Sequence, residues 1–257
     1  MTIHDAAARG FEAAAEAYER GRPAYAAEAV EHLVRVLGIG AGRPVLDLAA
    51  GTGKLTRALV PSGAELIAVA PVAAMRARLA MAVPSAEVLE GTAETIPLPD
   101  TSVDAVVVGQ AFHWFDGERA LREIHRVLRR GGGLGLIWQS RDPQRPWQHR
   151  LETLIDRLAA GEPRFRTGEW RRAFATSDLF EPLREAEFSN VQRGGLETII
   201  DRVASVSYVA AAPPQARDAV LAEIRELLMT DPEIAGSDVI ELPYVTNVYS
   251  TTRREAP

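Results

Sequence analysis

The stretch that decides the fold lies at residues 45–56 and reads Val45-Leu46-Asp47-Leu48-Ala49-Ala50-Gly51-Thr52-Gly53-Lys54-Leu55-Thr56. An apolar run with one acid is followed by small residues, and apolar residues then resume with helical spacing. This pattern predicts a strand, a tight turn and a helix N-terminus. Small residues let a ligand approach the backbone N–H groups at the positive end of the helix dipole. Two interpretations follow: a nucleotide-binding turn, or a turn whose small residues serve packing alone.

The alternation that follows favours the nucleotide-binding interpretation. The pattern predicts further strands at residues 65–71, 87–90, 103–108 and 134–138, with helices at residues 72–81 and 117–128 between them. Strands and helices at this spacing predict right-handed crossovers and a parallel sheet. Asp47 then lies at the carboxyl end of the first strand, where open α/β sheets bind ligands.

Both ends of the chain add segments to this core. Residues 1–38 predict a helical lid, with helices at residues 5–20 and 26–37. We expect its side chains Tyr18, Arg22 and Tyr25 either to close over a bound substrate or to pack the helices together.

The regular alternation of strand and helix patterns ends after Trp138. Residues 142–183 combine aromatic and charged residues with several prolines and predict two or three short helices, a cap over the carboxyl ends of the strands. Residues 184–257 predict strands at 185–192 and 239–250 and helices at 198–206 and 214–229. The alternating run at 239–250 is typical of an antiparallel edge strand.

Composition narrows the class of protein. The chain has 257 residues, a net charge of -6, 47% hydrophobic residues and no cysteine. This length allows one large α/β domain with an inserted cap. The acidic balance argues against a nucleic-acid binder, and the absence of cysteine excludes disulfides and thiolate metal sites. We find neither a signal peptide nor a membrane-spanning run, and therefore expect a cytoplasmic protein that does not bind membranes.

Asp47 separates two kinds of nucleotide site. A dinucleotide fold needs glycine close to the first strand so that pyrophosphate can lie on the helix, and an acid there would repel it. This disfavours an NAD(P)-dependent dehydrogenase. An acid at this position instead suits a ligand that carries an ammonium or a sulfonium group.

Residues 45–138 resemble the class I S-adenosylmethionine-dependent methyltransferases. The resemblance rests on residues 47–53, on Gly91-Thr92-Ala93-Glu94, on Pro97-Leu98-Pro99-Asp100 with Val103-Asp104, and on Arg126-Val127-Leu128 before Gly131-Gly132. Residues 18–23, 112–116, 137–142 and 242–244 are similar to a small-molecule branch of ubiquinone-biosynthesis and trans-aconitate types. The resemblance implies a Rossmann-like, mostly parallel seven-stranded sheet with an antiparallel edge strand. It also implies a single domain with a nucleotide-binding core at residues 39–141 and S-adenosylmethionine as cofactor.

The same resemblance implies roles for individual residues. Asp47, Ala49, Gly51 and Thr52 would hold the methionine part of the cofactor. Further cofactor positions would be Ala70, Pro71, Thr92, Ala93, Gln110 and Ala111, with Ala93 acting through its backbone N–H.

The acceptor would face His113 and Trp114, and His113 is a candidate general base for a hydroxyl acceptor. A structural hydrogen bond for His113 and core packing for Trp114 are the alternatives. Tyr18, Arg22, Tyr25, Trp138, Arg141 and Trp170 complete the candidate substrate residues. The cap arginines, among them Arg141, Arg171 and Arg172, hint at an apolar ligand with an anionic group, although surface arginines would explain them equally well. The five histidines show no metal-ligand spacing, so we expect no metal.

Two positions depart from the family pattern. Ala49 replaces a glycine, which is a mild change. Ala70 stands where the family has an acid that binds both ribose hydroxyls, and Glu90 and Glu94 are the nearby carboxylates that could substitute. A lost charge-assisted hydrogen bond costs roughly 1.5–3 kcal/mol.

This gap leaves several hypotheses open. The first is an active methyltransferase with weaker cofactor binding that acts on a small molecule, for instance a secondary metabolite. The second is a methyltransferase-like scaffold that catalyses a cyclisation or elimination in the cap without the cofactor. A non-catalytic binding module is the third.

Overall fold

The computed structural model describes residues 23–142, 144–159 and 161–255. The helix predicted at residues 5–20, and with it Tyr18 and Arg22, lies outside the described residues. The strands are β1 (Pro44–Leu48), β2 (Glu65–Val69), β3 (Glu87–Leu89), β4 (Val103–Gly109), β5 (Leu128–Arg141), β6 (Arg184–Gly194) and β7 (Ile240–Thr252).

Helices surround these strands: α1 (Ala27–Val36), α2 (Lys54–Leu59), α3 (Ala73–Ala82), α4 (Gly117–Val127), α5 (Pro146–Asp156), α6 (Arg172–Ala175), α7 (Leu196–Ala204), α8 (Ser207–Ala210) and α9 (Pro214–Thr230). Short 3₁₀ turns lie at Phe112–Trp114, Phe165–Thr167 and Glu169–Arg171. In the described ranges, none of the helices has both the length and the apolar character that crossing a bilayer requires.

Seven of the described strands form one sheet in the order β3-β2-β1-β4-β5-β7-β6. The strands from β3 to β5 run parallel, and β7 pairs antiparallel with both β5 and β6. This confirms the α/β fold class. The chain leaves β1 toward β2 on one side and later returns to β4 on the other. The carboxyl ends of β1 and β4 therefore border the crevice where such sheets bind ligands.

The central strands are buried because helices cover both faces of the sheet. Leu46 and Leu48 of β1 pack with α4 and the cap, whereas Val45 packs with α1 and α2 on the opposite face. Side chains alternate along a strand, so Asp47 points to the same face as Val45, toward α2.

The last strand corrects one prediction. Residues 239–250 were expected at the edge of the sheet, but β7 lies between β5 and β6, and β6 is the edge strand. Burial explains the placement, since residues 246–251 of β7 are all buried, whereas β6 alternates between exposed and partly buried residues.

Strand β5 is longer than predicted at both ends. It begins directly after α4, and its pairing with β4 shifts between Val103 and Ala105, so the glycines at 131–133 bulge without ending the strand. At the other end β5 continues past Trp138 to Arg141, which brings Arg141 into the sheet.

The cap shares a hydrophobic core with the C-terminal helices. Trp147 and Leu151 of α5 pack against Ile199 of α7 and Ile224 of α9, together with Leu242 of β7. The helices on both sides of β6 thus jointly cover the carboxyl end of β5 and the amino end of β7, which lie side by side because the two strands are antiparallel. The division of the chain at residues 142 and 184 stays a prediction.

Candidate functional site

A buried carboxylate lies at the centre of the site. Asp47 pairs in the sheet with Ala68 of β2 and Val107 of β4, and only 1% of its surface is exposed. The Thr56 hydroxyl donates to Asp47 Oδ2 at 2.6 Å, whereas Oδ1 is buried without a hydrogen-bond partner. Burial raises the pKa of Asp47 to about 7, although the bonds from Thr56 act to lower it. An acceptor atom that is buried and unpartnered suits a ligand that donates hydrogen bonds or carries positive charge.

The turn after β1 has a conformation that favours glycine. Ala49, Gly51 and Gly53 have φ values of 59°, 58° and 85°. A Cβ on Gly53 would also lie 2.8 Å from Leu79 Cγ, so this position excludes other residues sterically. Helix α2, which follows, has only six residues. Its dipole is therefore small, and the charged side chains around the turn dominate the local electrostatics.

The facing wall is formed by the end of β4. Gln110 has a φ of 59°, which is unusual outside glycine, and its Nε2 donates to Gln139 O at 3.3 Å. A Cβ on Gly109 would lie 2.5 Å from the hydroxyl oxygen of Tyr25, so this tyrosine reaches the end of β4. Strained backbone at the carboxyl ends of β1 and β4 is typical of a functional site.

These walls enclose a pocket that we call the cradle. It combines the turn of small residues after β1 (the bare turn, residues 49–53), the buried acid and two cationic side chains. Its lining comprises Pro23, Tyr25, Asp47, Ala49, Ala50, Gly51, Thr52, Lys54, Leu55, Gly109, Gln110, Gln139 and Arg202. Five predicted cofactor residues therefore meet here: Asp47, Ala49, Gly51, Thr52 and Gln110. Tyr25, predicted as a substrate residue, joins them.

A larger cavity of about 530 Å³, the cap cavity, lies between the sheet and the cap. Its lining includes the predicted residues His113, Trp114, Trp138 and Arg141 together with Glu152, Phe165 and Tyr208. Gln110, Gln139 and Arg202 line both pockets. The cradle and the cap cavity therefore adjoin at these three side chains.

The predicted ribose position carries no carboxylate. Ala70 directly follows β2 and is buried, with its N–H donating to Leu89 O at 3.2 Å. Arg76 donates to Ala70 O and Pro71 O, at 2.9 and 2.7 Å, and pairs with Glu90 at 2.5 Å. Glu90 is thus held by an arginine beside the predicted ribose site.

The remaining predicted cofactor residues lie further along the same edge of the sheet. Thr92 forms an isolated bridge with Thr95, and the Ala93 side chain belongs to the hydrophobic core. Ala111 packs partly buried against that core. Glu94, the second candidate substitute for the ribose acid, accepts a hydrogen bond from Asp116 N at 3.1 Å.

His113 makes a hydrogen bond that specifies its tautomer. The Trp138 indole N–H donates to His113 Nδ1 at 3.1 Å, so the neutral ring carries its proton on Nε2. In this arrangement His113 offers a donor, and accepting a proton at Nδ1 requires loss of the bond from Trp138. The Trp114 ring lies 5.2 Å from the imidazole and is partly exposed.

Two of the predicted substrate residues are part of an aromatic core. The Trp138 ring stacks on Phe165 and lies against Trp170, with both centroids at 4.7 Å, and Tyr249 completes the group. Trp170 is buried and lines a different cavity, beside Phe112 and Glu169. Packing therefore accounts for Trp170, while Trp138 both packs and borders the cap cavity.

Arg141 lies at the inner end of the cap cavity. It pairs with Glu152 of α5, and the pKa of Glu152 is lowered because Arg141 and neighbouring arginines outweigh the opposing effect of burial. Burial raises the pKa of the adjacent Tyr208 to about 12, with a further contribution from Glu152. The cavity lining thus contains an arginine–glutamate ion pair whose side chains are 6% and 19% exposed.

Sequence reasoning missed several residues of this site. Lys54, the single lysine of the chain, received no role in the sequence analysis, yet it lines the cradle. Its position directly after the turn was the available signal. Gln139, Glu152, Arg202 and Tyr208 gave no signal, because distant segments bring them to the site. In the described part of the chain, no group of three or more His, Asp or Glu side chains is arranged to hold a metal ion.

The order of the strands and the helices that cover them give the fold of the class I methyltransferases. Residues 46–136 match the family model described as a methyltransferase domain. An uncharacterised methyltransferase of Mycobacterium bovis is 45% identical over 244 residues, which cover 92% of each chain. The chain therefore belongs to the methyltransferase family, and the resemblance predicted from the turn is confirmed. UbiE, a ubiquinone/menaquinone biosynthesis C-methyltransferase from Enterobacter, is 28% identical over 63% of this chain and 69% of its own.

Solved structures share the fold. A protein from Anaeromyxobacter dehalogenans assigned as a type II methyltransferase is 25% identical, with a TM-score of 0.63 and coverage of 91% of this chain and 97% of that one. The [4+2]-cyclase SpnF is 14% identical, with a TM-score of 0.54 and coverage of 92% and 85%. At that identity, the similarity to SpnF shows the fold alone.

We predict that Asp47→Asn stabilises the free protein at high pH. The folded pKa of about 7 lies above the ordinary value of 3.8, so the fold favours the protonated acid. Asp47 therefore lowers stability progressively as pH rises from about 4 to 7. The neutral variant should gain little at pH 4 and up to about 4 kcal/mol at pH 8, measured by urea unfolding. The exposed Asp178→Asn serves as control. Equal effects of Asp47→Asn at both pH values would contradict the raised pKa.

Proposed function

We propose that the chain binds S-adenosylmethionine in the cradle and transfers its methyl group to a small molecule in the cap cavity. The observation that carries this proposal is Asp47 Oδ1, which is buried and unpartnered beside a turn without large side chains. A charged acceptor of this kind suits the cofactor's ammonium group. The residues of the cradle thus fit the cofactor that the family implies.

The cradle also offers a cation for the other end of an amino acid. Lys54 and Arg202 line the pocket together with Asp47, so side chains of both signs face a zwitterion. We assign Asp47 to the ammonium group and Lys54 to the carboxylate. This pairing favours a methionine-like moiety over a pyrophosphate. A pyrophosphate has no cationic group that Asp47 could bind.

The protein's contribution to methyl transfer is alignment and exclusion of water. The bound cofactor supplies an electrophilic methyl group on a sulfonium. Gln110 and Gln139 lie where the cradle meets the cap cavity and would orient the acceptor toward that methyl group. The aromatic residues of the cap exclude water from the reacting atoms. Transfer would form the bond from the acceptor to carbon, leave the electron pair of the broken bond on sulfur, and require the acceptor to release one proton, for which His113 is the candidate base.

A second candidate function follows from the ribose position. Ala70 offers no carboxylate, and Glu90 is paired with Arg76. These observations favour the hypothesis that cofactor binding is impaired and that the cap cavity carries out a cyclisation or elimination. We rank it second because Asp47 and the cradle would then lack a ligand.

The chemistry of the acceptor is also a proposal. The UbiE relative, named for quinone biosynthesis, suggests quinols and phenols as the first panel of acceptors to assay. A secondary metabolite is also a proposed acceptor. The predicted absence of nucleic-acid and membrane partners and the cytoplasmic location stay predictions of the sequence.

The test of cofactor binding uses isothermal titration with S-adenosylhomocysteine and S-adenosylmethionine. We expect micromolar dissociation constants for the wild type. Asp47→Asn should weaken binding of both at least tenfold, because it removes the charge that faces the ammonium group.

A matched ligand makes this test specific. 5′-Methylthioadenosine has the nucleoside and sulfur but no ammonium group, so its affinity should be equal in the wild type and in Asp47→Asn. No detectable wild-type binding at millimolar cofactor would favour the second candidate function.

Restoring a carboxylate at the ribose position should tighten cofactor binding. We expect Ala70→Glu to lower the dissociation constant of S-adenosylhomocysteine more than tenfold, because a charged acceptor would bind the ribose hydroxyls. Because Arg76 lies beside this position, Ala70→Glu is also prepared with Arg76→Gln. Thermal unfolding checks that both variants fold. If neither binds more tightly, the ribose does not lie at Ala70.

His113→Ala should lower turnover while leaving cofactor affinity unchanged, because His113 borders the acceptor's cavity. With the first acceptor that the panel yields, we expect kcat to fall about 100-fold, the effect of losing a general base, a role that requires His113 Nδ1 to release the Trp138 N–H. The loss of the acid limb of the pH–rate profile would separate this role from positioning. His149, an exposed histidine of the same cavity, provides the control variant His149→Ala. An unchanged rate removes His113 from the mechanism.

A further inference from the structure

The inner end of the cap cavity holds a buried arginine with two unpartnered donors. The Arg141 side chain is 6% exposed and extends from the last residue of β5 into the cavity lining. Its Nη1 donates to Glu152, whereas Nε and Nη2 are buried and have no hydrogen-bond partner. Buried donors without a partner are costly, so this guanidinium is incomplete without a ligand.

The two open donors lie on one edge of the guanidinium. In arginine an N–H of Nε and an N–H of Nη2 point in the same direction, and this edge matches the two oxygens of a carboxylate. Glu152 occupies the opposite end through Nη1 and thereby fixes the plane of the group. The open edge is therefore a preformed bidentate site.

The charges near this edge favour an anion. Arg202 is also buried and lines the cavity, and Glu152 is shared with Arg166, whose Nη1 lies 3.3 Å from Glu152 Oε2. Two buried guanidiniums and a partly exposed third therefore surround the partly buried carboxylate of Glu152. The other acids of the lining are Asp142, which accepts from Gln144 N, and Glu187, which accepts from Asn247. With Arg164 counted, four arginines of the lining face three acids.

Apolar and aromatic side chains flank the arginine. Trp138 and Phe165 form one side of the cavity, and Val206, Tyr208 and Val245 belong to the same lining. A ligand that fills this space has a mainly apolar body and one anionic group. Arg171, in contrast, pairs with Glu185 outside this cavity. Of the cap arginines considered from the sequence, Arg141 is therefore the candidate for binding the anionic group of a ligand.

We propose that the acceptor is a mainly apolar organic acid whose carboxylate binds Arg141 Nε and Nη2 and is not itself methylated. This inference rests on the proposed function and names its substrate class. A carboxylate held by two charge-assisted hydrogen bonds is a weak nucleophile, because both N–H groups withdraw its electron density. The methyl group then goes to another atom of the acid, on the side of Gln110 and His113.

The binding test uses 4-phenylbutanoate and its neutral analogue 4-phenylbutanamide as probes. Both are titrated calorimetrically into the protein saturated with S-adenosylhomocysteine. We expect the carboxylate to bind at least tenfold more tightly than the amide. Arg141→Lys keeps the positive charge but loses the two parallel N–H groups of the guanidinium edge. It should therefore abolish most of this preference. Arg130→Gln, at a side chain that is 85% exposed, should preserve it.

A double variant guards against misfolding. Arg141→Met leaves Glu152 with fewer partners, so Arg141→Met/Glu152→Gln removes both charges together and should fold without preferring the carboxylate. Equal affinity for the two probes in the wild type, or an unchanged preference in either Arg141 variant, would overturn the inference. Tighter binding of 3-phenylpropylphosphonate would overturn the assignment to a carboxylate.

Two outcomes separate this inference from the proposed function. If the wild type does not bind S-adenosylhomocysteine, the proposed function fails, and this inference with it. If it binds S-adenosylhomocysteine without a preference for the carboxylate, only this inference fails. For any acid that becomes methylated, a product that releases methanol on saponification would be a methyl ester and would contradict methylation at another atom.

Discussion

The structure of the site depends on a carboxylate buried in the middle of a parallel sheet. Asp47 occupies a strand position that is flanked on both sides by apolar strands, and a single hydroxyl, from Thr56, donates to one of its oxygens. Such a group is expensive to bury, and its raised pKa expresses that cost. The turn that follows has left-handed φ values at Ala49, Gly51 and Gly53, and its small side chains line the same pocket as the open oxygen.

A second incomplete polar group lies in the adjoining cavity. Arg141 has open donors where Asp47 has an open acceptor, and Gln110, Gln139 and Arg202 separate the two pockets. Buried groups of opposite charge in neighbouring pockets are complementary to two ligands, one with an ammonium group and one with a carboxylate. The proposed cofactor and the proposed acceptor therefore have their charged ends at different pockets, with the shared glutamines between them.

Much of the fold was predictable because periodicity and turn residues act locally. The parallel strands from β1 to β4 and helices α1, α3, α4 and α9 lie close to where the apolar patterns place them. Strands β5 and β7 were less predictable. A glycine bulge hides the start of β5, and the alternation of β7 does not reveal that β6 pairs beyond it. Burial in a strand depends on its neighbours, and single-sequence patterns do not name them.

By itself, the sequence determined the α/β fold class, the acid at the end of the first strand, the bare turn and the missing ribose acid at Ala70. Each of these features depends on residues that are adjacent in the sequence, so the local pattern of residue types is sufficient to predict it. Only the tertiary structure decided that Lys54 and Arg202 face the cradle, that Trp138 binds His113, and that Arg141 keeps two donors open beside Glu152. These relations join residues that are far apart in the chain, and the packing of the cap against the sheet brings them together.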